Sequence, residues 1–377
     1  MSRLGYETTL VVGSSDSTEG SMDDWARASG AKLHVIPSFQ ASIDPFKDAL
    51  TFIKLVALFW GERPDLVHTH TFKAGILGRL AAWITGVPII VHTYHGHLLS
   101  GYWSPLRTKL VCFAEKIVGK MTTQIITVSS RVAQDLVAAG LIPEKKIEVI
   151  ELGFDMLKLT EQLSGNPSLR TDLGLSADAQ LVGIVGRLVP IKSVDLFLRA
   201  MAPLLAKNSQ LHVAVIGDGS EAPKLRDLAS QISPTQIHFC GWRLPVMPDL
   251  PDLDLCICSS KNEGTSVSII EAVIAGVPVI STRVGGMADL LGDGQWGDLV
   301  AYDELALRDR ISAVLEILNR QEGDPEREKL RLRCQQAATF FKNRFSVERL
   351  LKNIDTIYSK LSRRARDPFG EPVSATL

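Results

Sequence analysis

Short apolar runs that alternate with longer segments of helical period predict an α/β protein made of two doubly wound parallel sheets covered by helices. The length supports two domains: 377 residues is room for two cores and a cleft between them. The balance of 45% apolar and 22% charged residues, with a formal net charge of -1, excludes a disordered chain and argues against a nucleic-acid binder.

The first set of strands reads TLVVG, KLHVIP, DLVHTH, PIIVHTYHG, QIITVS and IEVIE. The second reads QLVGIVG, LHVAVIGDG, IHFCG, LDLCICS, PVIST and GDLVAYD. Residues 152–178 lose the strand pattern and gather turn residues, which places a hinge near Gly153 to Asp155. The predicted domains are therefore 1–152 and 153–345, with a late helix at 346–362 returning to the first domain and a frayed tail at 363–377. The five cysteines form no C-x-x-C pair, and Cys256 and Cys258 alternate along one apolar strand as buried thiols of a reducing cytosol. Neither a secretory leader nor a membrane-length apolar run is legible, so the expected location is the cytoplasm.

In doubly wound sheets ligands bind beyond the carboxyl ends of the strands, so the strand-to-helix loops are where chemistry is expected. After LDLCICS comes "SKNEGTSVSIIEAVIAG", with Glu263 in the loop and Glu271 within two turns of the following helix. Gly264, Thr265 and Ser266 free the backbone beside Glu263 to offer N–H donors, a pairing suited to a ligand with both hydroxyls and phosphate. Glu271 has an ordinary alternative, because Ser268-x-x-Glu271 also fits a capping box. After QLVGIVG, Arg187 leaves the strand directly and Lys192 precedes Ser193, read as a helix N-cap. A cation there opposes the helix dipole by about 0.3–1 kcal/mol unless an anion such as phosphate neutralises it; two solvated surface charges are the plainer alternative.

The order GRLVPIK, then E-x7-E over Glu263 and Glu271, then GVPVIST with Gly285 and Gly286 resembles the retaining family 4 glycosyltransferases. The match runs from about residue 6 to 360. That resemblance implies the GT-B fold, two facing Rossmann-like domains, and transfer of a sugar from a nucleotide donor, expected to be a UDP-sugar. It implies that Glu271 holds the ribose, Glu263 the transferred sugar, and Arg187 with Lys192 the diphosphate. Gly264, Thr265 and Ser266 would add donors, while Gly217 to Ser220 and Phe239 to Arg243, including Gly241 and Trp242, would line the base. A histidine after the fourth strand, His95 first and His97 second, would face the donor sugar. The implied acceptor is a cell-envelope, lipid-linked or polysaccharide molecule, and no metal or other cofactor is expected. Two rivals stay open: a UDP-sugar epimerase of the same fold, and a catalytically silent homologue acting as a scaffold.

Asp252-Leu-Asp254 matches a manganese-binding D-x-D pattern but opens its strand, at the end away from the cleft. The histidines cluster as His68 and His70 and as His92, His95 and His97; those one residue apart share a strand face at metal-like spacing, yet they lack an acidic or thiol partner in sequence. Lys73 repeats the oddity of Lys192 and points either to an anionic acceptor or to a solvated first-turn lysine. PFKDALTFIKLVALFW, and YWSPLRTKLVCFAEKIVGKM with Tyr102, Trp103, Arg107, Lys109, Lys116 and Lys120, suit peripheral contact with the inner face of a membrane, or simple half-burial. Finally, family members open with a strand and a glycine-rich loop, whereas "RLGYETTLVVG" reads as the end of a first helix running into a second strand. Without that central strand, two strands of the first sheet are expected to lack a partner, so the expectation is a start about 20–40 residues upstream, or a chain that folds poorly and transfers sugar weakly.

Overall fold

The computed structural model describes residues 1, 4–14, 32–40, 42–96, 105–165, 168–176 and 178–366. His97, Tyr102, Trp103 and the tail from 367 onward lie outside them, as does the side chain of Arg107.

Among the described residues twelve strands match the twelve apolar runs: β1 Thr9–Gly13, β2 Lys32–Ile36, β3 Leu66–His70, β4 Ile89–Tyr94, β5 Gln124–Thr127 and β6 Ile147–Val149 come first. After the crossing come β7 Gln180–Val185, β8 Leu211–Ile216, β9 Ile237–Gly241, β10 Leu255–Cys258, β11 Val279–Thr282 and β12 Asp298–Val300. The last six form one parallel sheet in the order β12-β11-β10-β7-β8-β9. The chain reverses its winding between β7 and β10, so the loops after these two strands splay apart around a crevice. Such strands are legible because both faces are covered: Leu181, Val182, Val213, Leu255 and Cys256 are all inaccessible to solvent.

The first domain takes the split form expected of a sheet in which two strands lack a shared central partner. Its described strands form two sheets, β1-β2 and β3-β4-β5-β6, so β1 and β3 are edges of different sheets. They share one apolar layer, because Ile36, Val67 and Ile90 meet Leu55 and Phe59 of the helix Pro45–Glu62, with Val11 packed alongside. That helix starts where Asp44 accepts from the amides of Phe46 and Lys47, with Pro45 pre-set for the first turn. Among the described residues no helix is long and apolar enough to cross a membrane.

The chain passes between the domains twice at one place. Phe154 donates its amide to Phe345 and accepts from Val347, and Arg344 pairs with Glu151. A Cβ on Gly153 would sit 2.6 Å from that of Leu350, so the two passes touch through a glycine. Beyond them the helix Val347–Arg366 lays Ile357, Tyr358 and Leu361 against Ile89, Val91 and Ile126 of the first domain.

Candidate functional site

The loop after β7 turns through Gly186, at φ 150°, and a short 3-10 helix at Pro190–Lys192 before the helix Val194–Leu205 begins. This turn aims Lys192 across the crevice at the loop after β10, where its ammonium lies 2.6 Å from Glu263 Oε1. The Ser260 hydroxyl donates to the same oxygen at 2.6 Å. Burial opposes the charge on Lys192, but Glu263 more than offsets it and holds the ammonium above its ordinary range. Ser259 fixes the opposite loop by donating to the carbonyls of Lys192 and Ser193 at 3.1 and 3.0 Å. Gly186, Arg187, Lys192, Ser259, Ser260 and Ser268 line one pocket at this switch point.

Ser193 stands at the N-cap position with a left-handed backbone but makes no cap bond; its hydroxyl meets Tyr302 and Asp195 instead. The capping-box alternative for Glu271 fails for a related reason. The helix Val267–Ile274 starts one residue before Ser268, so Ser268 lies inside it and the N-cap is the buried Ser266. Glu271 has no hydrogen-bond or ion-pair partner among the described residues, and burial pushes its carboxyl up to about 7.

The same loop meets the other domain through bare backbone. A Cβ on Gly264 would stand 1.9 Å from the carbonyl oxygen of His95, one on Gly286 2.0 Å from that of Gly264, and one on Gly285 1.9 Å from that of Glu263. Gly286 donates its amide to Glu263 at 2.9 Å, and Thr265 donates its hydroxyl to Val128 at 3.4 Å. Only glycine permits this approach. Gly264→Val is therefore expected to hold the cleft open and lower turnover by about 10²-fold, measured beside small-angle scattering of the free protein; an unchanged rate would show that this closure is not needed.

His95 contributes to that contact with its carbonyl, while its ring turns to His70 of β3, Nε2 to Nδ1 3.0 Å. His70 stacks on His68, which touches Tyr358 and Thr93, and burial lowers His68 to about 3 and His70 to about 4, with neighbouring imidazoles adding to it. The cluster is uncharged at neutral pH. Among the described residues no group of three or more His, Cys, Asp or Glu is placed to hold a metal.

The Lys73 reading takes a different form, and the Asp252–Asp254 pair and the two glycines make structural contacts of their own. Lys73 is neither solvated nor aimed at a ligand: it pairs with Asp48 and donates to the carbonyls of Gln40 and Ser42, pinning the start of the helix Pro45–Glu62. Asp252 and Asp254 hold Arg170 at 2.9 and 2.7 Å, a structural clasp at the amino end of β10. Gly217 and Gly241 bond to each other at 2.8 Å, and a Cβ on Gly217 would stand 2.0 Å from the carbonyl oxygen of Gly186. Their immediate role is to join the ends of β7, β8 and β9, while Trp242, 41% exposed, follows them. Ser260 joins the site without having stood out in the sequence, where two serines closing a run of buried strand residues are the available signal.

Residues 1–153 match the family model "Glycosyl transferase 4-like domain", and residues 179–317 match "Glycosyl transferases group 1". An Escherichia coli UDP-Gal:alpha-D-GlcNAc-diphosphoundecaprenol alpha-1,3-galactosyltransferase is 27% identical over 80% of this chain and 77% of its own. The capsular polysaccharide biosynthesis glycosyltransferase CapM of Staphylococcus aureus is 26% identical over 86% of this chain and 84% of its own. In structure, Anabaena HepE in complex with UDP-glucose superposes with a TM-score of 0.74 at 22% identity, over 93% of this chain and 91% of that one. The architecture is GT-B. With glycosyltransferase domains matched in both halves and glycosyltransferases among its relatives, the chain is a glycosyltransferase.

Proposed function

We propose that the protein transfers a sugar, with retention of configuration, from a UDP-sugar to a lipid-linked or polysaccharide acceptor of the cell envelope. The observation that carries this is the Lys192–Glu263 pair spanning the switch point, with Glu271, unpartnered among the described residues, farther along the same segment on the helix that follows. The acceptor class is supported by the names of the two relatives above, and the UDP donor by the name of the first.

Breaking a glycosyl-phosphate bond leaves positive charge on the sugar and negative charge on the departing diphosphate, and fixed cations beside the phosphate favour that separation. Lys192 and Arg187 take this role. Diphosphate competes with Glu263 for the Lys192 ammonium, which turns the Glu263 carboxylate toward the hydroxyls of the sugar while Ser260 keeps its donation. Glu271 accepts from the ribose hydroxyls. The acceptor hydroxyl bonds to the anomeric carbon on the face the phosphate leaves, and its proton passes to the phosphate oxygen. The leaving group thus supplies the base, and no side chain is assigned as a nucleophile.

A panel of nucleotide sugars scored by thermal shift tests the donor: at about one hundred times Kd, a true donor stabilises the fold by about 2.7 kcal/mol. A panel in which none raises the melting temperature sinks the reading, and conversion of the donor without acceptor replaces it with epimerisation. Transfer is also expected to survive EDTA, because the charge on the phosphates is met by side chains; activity abolished by EDTA and restored by manganese would assign that charge to a metal instead.

A further inference from the structure

The helices Pro45–Glu62, Phe72–Ile84 and Pro105–Met121 lie side by side on one face of the first domain. In the last of these, Leu106, Leu110, Phe113 and Ile117 are 70, 63, 66 and 41% exposed. Their spacing of four, three and four residues puts them on one stripe, the pattern a helix ordinarily turns toward a core. The first helix repeats it with Phe46, Leu50, Ile53 and Trp60, at 89, 47, 62 and 67%, and the middle helix ends in exposed Trp83 and Ile84. Apolar exposure this continuous marks an interaction surface.

The charges beside it select the partner. Lys47, Lys54, Lys109, Lys116 and Lys120 are exposed on these helices. Their acids are spoken for: Asp48 pairs with Lys73, Glu62 with Lys32, and Glu115 is buried against Arg79 and Tyr94. A second copy of the chain would bring lysine edges against lysine edges. We infer that this three-helix face docks on a bilayer surface containing anionic lipids, with the stripes at the acyl boundary and the lysines among the headgroups. In a doubly wound domain the helices run opposite to the strands, so Phe46 and Leu106, at the helix starts, lie toward the strand carboxyl ends and the cleft. A membrane-borne acceptor would thus be presented at the mouth of the site; that link rests on the function proposed above, whereas the docking does not.

Co-sedimentation of the full chain with vesicles of equimolar phosphatidylglycerol and phosphatidylcholine tests it, beside vesicles of phosphatidylcholine alone. The chain is expected to pellet with the anionic vesicles. The double variant Leu110→Ser with Phe113→Ser is expected to bind at least about tenfold more weakly, and Lys109→Gln, Lys116→Gln and Lys120→Gln to lose roughly fivefold each on anionic vesicles only. These side chains are exposed, so unchanged melting temperatures and an unchanged nucleotide-sugar shift certify the variants. Quenching of tryptophan emission by brominated acyl chains gives a readout on the unaltered chain. Equal pelleting of variant and parent, or none by either, overturns the inference. So does a dimer in solution that the Leu110 and Phe113 changes convert to monomer, which would make a second copy the occupant. A parent chain that does not bind vesicles but keeps its donor shift removes the docking alone; a parent chain that binds vesicles without any donor shift removes the transfer reading alone.

Discussion

Lys192→Ala is expected to lower the turnover of sugar transfer by about 10²–10³-fold, the scale on which one pre-placed electrostatic contact to a developing charge acts. The reason lies in where the charge sits before the donor arrives. Lys192 spans the crevice from the end of β7 to Glu263 at the end of β10, held there by Ser259 on its own carbonyl and by Ser260 on its partner. Its position is thus set without the donor, and little reorganisation is needed when the phosphate takes the place of Glu263. The variant also leaves a carboxylate that is 9% exposed with Ser260 and, more distantly, the Cys258 thiol in place of an ammonium. Breaking such a pair from one side costs more than the pair contributes, so a lower melting temperature is expected with the lower rate. Glu263→Gln separates the two effects: it keeps the side chain's shape and removes the charge, and should lower turnover more than donor affinity. A Lys192→Ala variant that retains parental turnover at saturating donor would take Lys192 out of the reaction.

The parts of this site that can be read from sequence are those fixed by strand periodicity. Buried parallel strands are short apolar runs, their exits are marked by Gly, Ser and charge, and ligands gather at such exits, so Arg187, Lys192, Glu263 and Glu271 are legible together. What cannot be read depends on partners distant in sequence. Lys73 looks like a misplaced cation until the fold carries Asp48 to it, and the ring of His95 is taken by His70, 25 residues earlier. The Ser268–Glu271 pattern misleads because the helix starts at Val267, two residues earlier than a capping box on Ser268 requires. Exposure of the apolar stripes on the helices Pro45–Glu62 and Pro105–Met121 is likewise hidden, since the same spacing serves a core.

Glu271→Gln is expected to stabilise the free protein while weakening donor binding by about 10–100-fold, the value of replacing charge-assisted hydrogen bonds to two hydroxyls. The stability half follows from linkage. Burial raises the Glu271 carboxyl from 4.5 to about 7, so between these values the folded state holds a proton that the unfolded state has released. Where the folded state binds more protons, stability falls as pH rises. Glu271 therefore costs nothing below about 4.5, costs more through the window up to about 7, and costs a constant amount on the order of 1–3 kcal/mol above it. A neutral amide at this position carries no such penalty, so the variant should melt higher than the parent at pH 8 and equally near pH 4. The binding half has the opposite sign with pH. A ribose diol needs an acceptor at both oxygens, and only the ionised carboxylate offers them; the parent's donor affinity should fall by up to about tenfold per pH unit below 7. The variant's affinity should be flat over the same range. Calorimetric titration of the best nucleotide sugar from pH 5 to 8, with melting curves of both proteins across it, measures both halves. A residue that merely packs the helix against its sheet would show neither the stability gain nor the pH-dependent binding, and an affinity that does not change with pH in the parent would assign the ribose to another side chain.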